Sequence, residues 1–217
     1  MQEFGSIFVI GGWILLVIFT GILVKYIANE KKEISRKIVH IGIGPVVPLA
    51  WSLGIAKDTA IITALLITIG LFINNQYKFI SAFENVARKS WGTIAYGISI
   101  TTLLILLWPE HPAAANAGIL TMAFGDGLAG LIGAELKTNS WIVFGQTKSI
   151  AGTATMFIST CIVLLIVSNI SSTDINFLQV ILISSIASSL EQLGPFGIDN
   201  ISVPIGTAYS WLFFVGN

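Results

Sequence analysis

Long apolar segments dominate the sequence, and the first of them carries no charged residue between Glu3 and Lys25. A helix needs about 20 mostly apolar residues to cross the hydrocarbon core of a bilayer. Comparable segments follow along the chain, and only 10% of its residues are charged, against about 25% in ordinary soluble domains. This pattern nearly excludes a soluble globular enzyme. It predicts an all-α fold, a polytopic bundle of helices in a membrane.

The apolar segments predict seven transmembrane helices, with six or eight as alternatives. They span residues 5–27, 38–55, 59–75, 92–108, 112–135, 150–168 and 175–193. A last apolar stretch, 201–215, is short and contains Pro204, so it is either an eighth span or a re-entrant segment. No long linker separates these segments, and residues 1–217 are therefore predicted to form a single membrane domain.

Lysine and arginine are distributed unevenly among the predicted loops. Ten of the 11 lie in the loops that follow the first, third and fifth spans, and only Lys57 lies in the alternate loops. Because short cytoplasmic loops are enriched in Lys and Arg, the N-terminus is predicted to lie outside. The basic loops then face the cytoplasm of a bacterial inner membrane, or the equivalent side of an organelle or thylakoid-type membrane.

The fifth predicted span contains Asp126, nine residues from its end, or about 13 Å along a helix. An aspartate at that depth costs about 3 kcal/mol on insertion scales, so its presence indicates a function. Gly125 and Gly127 flank it and would let a metal ion or a metal-bound phosphate approach the backbone. Helix packing is the alternative explanation for the stripe formed by Gly125, Ala129 and Gly133.

A second group of polar residues lies where the chain enters the second predicted span. Arg36 and His40 are four residues apart and share a helix face, and Lys37 lies beside them. A basic belt at the membrane interface would explain lysines at this position. A histidine below the surface is harder to explain in that way, so a function is predicted for Arg36 and His40.

A third group, residues 144–152, contains Gly145, Gln146, Lys148, Ser149 and Gly152. It is superficially like a phosphate-binding loop that ends in Gly-Lys-Ser/Thr, but a threonine precedes the lysine and the usual spacing is absent. The segment is also predicted to lie between membrane helices and not after a strand. Lysine and serine at a helix N-terminus can still bind phosphate, and a simple capped helix start is the alternative.

A fourth group follows the seventh predicted span, where a Gly-Pro pair ends the helix. Glu191, Asp199 and Asn200 offer oxygen ligands there, and no basic residue lies on the same loop. Acids without a basic partner predict a divalent cation site, although a turn alone would explain the Asp-Asn pair.

A fifth and weaker group runs from Arg88 to Tyr96. Arg88 is either a topology charge or a phosphate ligand, and Trp91 and Tyr96 fit the aromatic belt at a membrane interface.

Acids that suit Mg²⁺, bases that suit phosphate and a membrane location together predict phosphoryl or nucleotidyl transfer to a lipid. One cysteine and two histidines provide no plausible zinc site, and zero net charge predicts no nucleic-acid partner. A small membrane transporter is the rival class, but it would need polar groups on both sides of a midplane site. The outward loops contain few.

The five groups occur in the order of motifs in the phytol kinase and dolichol kinase family, which the chain resembles from about residue 35 to residue 204. Length and span number are closest to the phytol kinase branch. The resemblance implies an integral membrane kinase that uses CTP, more commonly than ATP, to phosphorylate an isoprenoid alcohol, with phytol expected first. A related branch phosphorylates diacylglycerol. The chain is also distantly similar to CDP-diacylglycerol synthases, but it lacks the basic and His-Gly-Gly-type segments expected of those enzymes.

The resemblance also implies residue roles. Asp126 would be a ligand of Mg²⁺ and nucleotide, with Asp199 as the second acid. Glu191 and Asn200 remain further metal ligands by the composition of the fourth group. Lys148 would hold the nucleotide phosphates. The other residues implied in nucleotide or phosphate binding are Arg36, Lys37, Arg88, Gly125, Gly127, Gly145, Gln146, Ser149 and Gly152.

The proton acceptor for the alcohol is left open among three residues. His40 is one candidate, and Asp126 or Asp199 could serve instead. The alcohol's tail is expected among the helices with its hydroxyl at the cytoplasmic interface, since such a molecule is nearly all hydrocarbon. Small-residue stripes would also permit a homodimer.

Overall fold

The computed structural model describes residues 2–27, 32–77 and 91–216. The helices are α1 (Gln2–Ile27), α2 (Lys32–Ile43), α3 (Val46–Ser52), α4 (Lys57–Tyr77), α5 (Gly92–Leu107), α6 (Pro112–Leu120), α7 (Gly127–Glu135), α8 (Ile150–Ser171), α9 (Phe177–Leu193) and α10 (Asp199–Phe214). A π-helical turn, Thr121–Asp126, joins α6 to α7, and a 3-10 turn, Pro195–Gly197, precedes α10. Two short strands, β1 (Ser140–Val143) and β2 (Gln146–Ser149), form an antiparallel hairpin.

Four helical segments among the described residues are long and apolar enough to cross a membrane. They are α1, α4, the continuous segment Pro112–Glu135 and α8. The helices α5 and α9 are shorter but also apolar. The predicted all-α, polytopic membrane fold is confirmed, whereas the number of crossings and their orientation stay predictions.

The second predicted span is not one helix, because the chain breaks into α2 and α3 at Gly44 and Pro45. Proline lacks the N–H that a continuous helix would need there. A Cβ at Gly44 would lie 2.4 Å from the Ala123 Cβ, so the break also brings α2 against the π-helical turn. This contact places His40 and Lys37 beside that turn.

The fifth predicted span, residues 112–135, has the bounds expected, but its centre is wound as the π-helical turn. Asp126 is the last residue of this turn. Such turns are rare and occur frequently at functional sites.

The helix α6 forms the centre of the bundle, and every residue from Ala113 to Leu120 is buried. Its small side chains let the neighbouring backbone come close, because a Cβ at Gly118 would lie 2.2 Å from the carbonyl oxygen of Pro204 in α10. This packing aligns the segment that ends at Asp126 with the helix that begins at Asp199.

The hairpin was not expected from the sequence. Val143 pairs with Gln146, so Phe144 and Gly145 form a two-residue loop in which both residues have a positive φ, 47° and 78°. A type I′ turn requires this and favours glycine. The expectation that residues 144–152 follow no strand is therefore wrong, since β1 ends directly before this segment and β2 leads into α8.

Candidate active site

Three carboxylates from distant parts of the chain meet at one place. Asp126 ends the π-helical turn, Glu191 lies in the last turn of α9, and Asp199 begins α10. One oxygen from each carboxylate lies within 4.8 Å of the other two. Glu191 is 7% exposed and Asp199 is 8% exposed. We call these residues the acid cluster. The sequence predicts all three as metal ligands, and the structure brings them together.

Lys37 supplies a positive charge to the acid cluster from α2. Its Nζ donates to Asp126 Oδ2 at 2.7 Å and to the Asp126 carbonyl oxygen at 3.0 Å. Lys37 is itself buried, with 6% of its surface exposed. The three carboxylates of the acid cluster repel each other at this distance, and a buried lysine needs an acid as its partner. The pair therefore compensates charge on both sides.

Gly130 makes room for Lys37, and this is a site residue that the sequence did not single out. A Cβ at Gly130 would lie 2.6 Å from Lys37 Cε and 2.8 Å from its Nζ. Any larger residue must push the ammonium group away from Asp126.

We therefore expect Gly130→Ala to lower activity about ten- to a hundredfold, because a displacement of about 1 Å at a catalytic group can cost that much. The protein should remain folded, since the flexible end of Lys37 can move. The rate of the catalysed reaction tests the loss of activity, and thermal unfolding measured in parallel tests whether the protein remains folded. Gly12→Ala is the control, because its added methyl group meets nothing within 4 Å. Unchanged turnover in Gly130→Ala would show that the position of the Lys37 ammonium does not matter.

A second lysine reaches the acid cluster from β2. Lys148 Nζ donates to Glu191 Oε1 and, at 2.8 Å, to the Glu191 carbonyl oxygen. The expectation that Glu191 has no basic partner is wrong, because its partner comes from a strand 43 residues earlier in the chain. Each of the two lysines is thus paired with a different acid.

Gln192 fixes the remaining oxygen of Glu191. Its Nε2 donates to Glu191 Oε2 at 2.9 Å and to Thr153 Oγ1 at 2.8 Å. Trp141 of β1 donates through Nε1 to Gln192 Oε1 at 3.2 Å. The hairpin therefore helps to hold the end of α9, and with it the orientation of Glu191.

The turn between α9 and α10 brings Glu191 and Asp199 together. A Cβ at Gly194 would lie 2.5 Å from the Asp199 nitrogen, so only glycine allows this close return of the chain. Asn200 donates from its backbone nitrogen and from Nδ2 to Asp199 Oδ1, at 3.0 and 3.1 Å. In this structure Asn200 orients Asp199, and its role as a metal ligand stays a prediction.

His40 lies between the acid cluster and the interior of the bundle. Its Nε2 is 3.5 Å from Asp126 Oδ2 and 3.2 Å from the Met122 carbonyl oxygen. The ring packs on Tyr96, with ring centroids 4.3 Å apart. Tyr96 is buried, so it is not an interfacial aromatic, whereas Trp91 is 53% exposed. The Tyr96 hydroxyl has no hydrogen-bond partner among the described residues.

The chain is similar along most of its length to a phytol kinase of Synechocystis sp. The two sequences are 34% identical over 209 residues, which cover 90% of this chain and 88% of that protein. The chain belongs to the phytol kinase family. The resemblance drawn from the five groups of residues is thereby confirmed.

Two plant proteins are also similar to this member of the phytol kinase family. Phytol kinase 1 of Arabidopsis thaliana, a chloroplastic protein, is 26% identical over 93% of this chain and 73% of its own length. The chloroplastic farnesol kinase of the same plant is 28% identical over 58% of this chain and 44% of its own length. No family model and no solved structure matches the chain.

In this member of the phytol kinase family, the glycines around Asp126 have packing partners. A Cβ at Gly125 would lie 2.6 Å from Met156 Sδ, and one at Gly127 would lie 2.4 Å from Ile41 Cγ1. A Cβ at Gly133 would lie 3.1 Å from the Gly152 Cα. These contacts hold α7 against α2 and α8. The glycine stripe is therefore occupied within the chain and no longer supports a homodimer, and phosphate binding at Gly125, Gly127 and Gly152 stays a prediction.

The start of α8 is a capped helix in the family member. Ser149 accepts a hydrogen bond from the Gly152 nitrogen at 3.1 Å, as an N-cap residue does. Gly145 lies in the hairpin loop, and Gln146 pairs with Val143 in the strands. These contacts account for the residue types locally, and their roles toward a nucleotide stay predictions.

The two predicted arginines differ in what the structure says of them. Arg36 is half-buried beside His40 on the wall of a cavity in the bundle. Arg88 lies outside the described residues.

Proposed function

We propose that the chain is a membrane-embedded kinase that transfers the γ-phosphate of CTP to a long-chain isoprenoid alcohol, phytol first, and releases phytyl phosphate. The observation that carries this proposal is the acid cluster with a buried lysine paired to Asp126 and another paired to Glu191. Membership of a family with a phytol kinase and a farnesol kinase among its members supports the acceptor class. We place the active face on the cytoplasmic side, where the basic loops are predicted.

The acid cluster has the donors that Mg²⁺ requires. All three ligands are carboxylate oxygens, and they lie within 4.8 Å of one another. In an octahedral Mg²⁺ site with bonds of about 2.1 Å, opposite ligands lie about 4.2 Å apart, which is close to this distance. Asp126, Glu191 and Asp199 would hold the ion. When bound, it supplies charge neutralisation and orientation for the triphosphate.

The two lysines would hold the phosphates. Lysine binds phosphate as a compact charge, and both ammonium groups lie at the edge of the acid cluster, each on a carboxylate. A triphosphate that reaches the cluster therefore meets a positive charge from α2 and another from β2. Such fixed charges lower the barrier because they need no reorganisation during transfer.

In the transfer itself, the alcohol oxygen forms a bond to the γ-phosphorus while the bond between that phosphorus and the bridging oxygen breaks. CDP leaves, and the hydroxyl proton passes to a base. The two neighbours of His40 Nε2, Met122 O and Asp126 Oδ2, are acceptors, and we therefore assign a proton to Nε2. Proton uptake therefore falls to His40 Nδ1 or to a carboxylate of the acid cluster.

Two labelled forms of CTP test the proposal. Purified protein is given phytol, geranylgeraniol, farnesol, dolichol or diacylglycerol with Mg²⁺ and CTP labelled at the γ- or the α-phosphate. We expect γ-label in an isoprenoid lipid. The α-label in lipid would point instead to a cytidylyltransferase, γ-label only in the diacylglycerol product to a diacylglycerol kinase, and no label in any lipid would refute lipid transfer.

A further inference from the structure

A cavity of about 460 Å³ lies between α1, the α2–α3 pair, α4 and α5. Its walls are mostly Ile, Leu, Val, Ala and Gly. One end is lined by Arg36, His40, Asn74 and Tyr96, and the other polar residues of the lining are threonines. Thr59, at the opposite end, donates its hydroxyl to Glu3 Oε1 at 2.9 Å. Of the threonines on α4, Thr68 donates its hydroxyl to the Ala64 carbonyl oxygen of its own helix. The cavity therefore has a polar end and a long apolar part.

The polar end of the cavity adjoins the acid cluster. His40 lines the cavity and lies 3.5 Å from Asp126 Oδ2. Tyr96 also lines this end, while its hydroxyl is fully buried and has no hydrogen-bond partner among the described residues.

The length of the cavity matches an isoprenoid chain. On α4 its lining runs from Thr59 at the apolar end to Asn74 at the polar end, which is about 22 Å at 1.5 Å per residue. The main chain of a C20 isoprenoid alcohol has about 15 carbon–carbon bonds of about 1.5 Å each. Because successive bonds form a zigzag, the extended chain is about 19 Å from end to end. One such chain reaches from the polar end to the region of Ala60.

The cavity is open on the side of α1 and α4. Ile7 and Ile67 line it, yet each is 43% exposed. Gly11 and Gly70 also line it, and a Cβ at either would meet nothing within 4 Å. In a membrane this side faces hydrocarbon, so an apolar chain can enter without passing through water.

We propose that this cavity binds the hydrocarbon chain of the acceptor alcohol, with the hydroxyl at the polar end beside His40. Its far end, at Ala50, Ile55 and Ala60, sets the longest chain that is accepted. The inference rests on the proposed function for its substrate. It adds where the chain lies and which residues measure its length.

Substitutions on α4 test the length rule. Ala60→Phe fills the far end and should lower kcat/KM for geranylgeraniol and phytol at least tenfold relative to farnesol. Ala64→Phe lies one turn nearer to the polar end, about 6 Å or slightly more than one isoprene unit, and should exclude farnesol in favour of geraniol. Ile62→Phe is the matched control, because Ile62 lies on the same helix but outside the lining and is 56% exposed. Chain-length preference unchanged in both alanine variants would overturn the inference.

Photolabelling separates this inference from the proposed function. If the wild-type protein phosphorylates no alcohol, the proposed kinase activity fails, and binding is then measured with a diazirine-bearing geranylgeraniol. The cavity predicts labelled peptides from α1, α4 and α5, competition by unlabelled geranylgeraniol, and reduced labelling of monodisperse Ala64→Phe. Equal labelling of wild-type and Ala64→Phe protein would overturn the inference, with or without kinase activity.

Discussion

Replacement of Asp126 by asparagine is expected to lower kinase turnover by about a thousandfold or more. The change keeps the size of the side chain but removes the charge that pairs with Lys37 and faces Glu191 and Asp199. A neutral amide would weaken both cation binding and the electrostatic stabilisation of transfer, and losses of this size follow removal of such groups. Turnover of phytol with saturating CTP measures it.

The design of this experiment must separate chemistry from folding, because Asp126→Asn leaves Lys37 buried without its acid. Breaking a buried pair in this way costs about 3–5 kcal/mol. The double variant Lys37→Met with Asp126→Asn removes both charges, so it should regain thermal stability but not activity. Glu135→Gln is the matched control, since Glu135 ends the same continuous helix and is exposed. Activity in the double variant close to that of the wild type would contradict a catalytic role for both residues.

Replacement of Lys148 by methionine is expected to lower kcat/KM for CTP about a hundred- to a thousandfold. Lys148 forms an ion pair with Glu191, and its loss removes a phosphate ligand from the proposed nucleotide site. The effect should be concentrated in the KM for CTP, with a smaller change in the KM for the alcohol. Initial rates over a range of CTP concentrations at saturating phytol measure it.

Two further variants make the role of Lys148 specific. Lys137→Met removes an exposed lysine that precedes the hairpin and should behave like the wild type. Lys148→Met with Glu191→Gln removes both partners of the ion pair, so stability should return while CTP use stays low. A normal KM for CTP in Lys148→Met would show that Lys148 only positions Glu191.

The acids of the site could be chosen from the sequence because they stand out energetically. Asp126 lies in an apolar segment where a carboxylate is costly, and Glu191 and Asp199 flank a Gly-Pro turn. The spans could be chosen for the same reason, because apolar length alone decides what can cross a bilayer. The order of the five groups also led to the family.

The pairing of these residues could not be predicted, because it depends on packing between distant segments. Lys37 and Asp126 are 89 residues apart, and Lys148 and Glu191 are 43 apart. In the sequence Gly130 looks like any other helix glycine, and only the contact with the Lys37 side chain explains why glycine is needed there. By sequence Tyr96 fits the aromatic belt at a membrane interface, and only the packing of its ring on His40 assigns it to the site.

Two local features, the helix break at Gly44 and the β1–β2 hairpin, have sequence patterns that were not used in the prediction of the spans. Gly44 followed by Pro45 is a typical helix break, yet the apolar run around it favoured one continuous span. Phe144 and Gly145 lie between short segments of Ile, Val and Thr, which suit a hairpin, but strands were not expected between membrane helices. At Gly44 and Pro45 the hydropathy of the surrounding segment concealed a change in backbone geometry, whereas the hairpin lies in a segment predicted as a loop.

The proposed kinase activity requires that Asp126, Glu191 and Asp199 together bind one divalent cation with the nucleotide. Electron paramagnetic resonance of Mn²⁺, titrated into purified protein with CTP, measures this without depending on turnover. We expect one tightly bound Mn²⁺ per chain in the wild type and in Glu135→Gln, and its loss in Asp126→Asn and Asp199→Asn. Equal binding of Mn²⁺ by the wild type and both of these aspartate variants would contradict it.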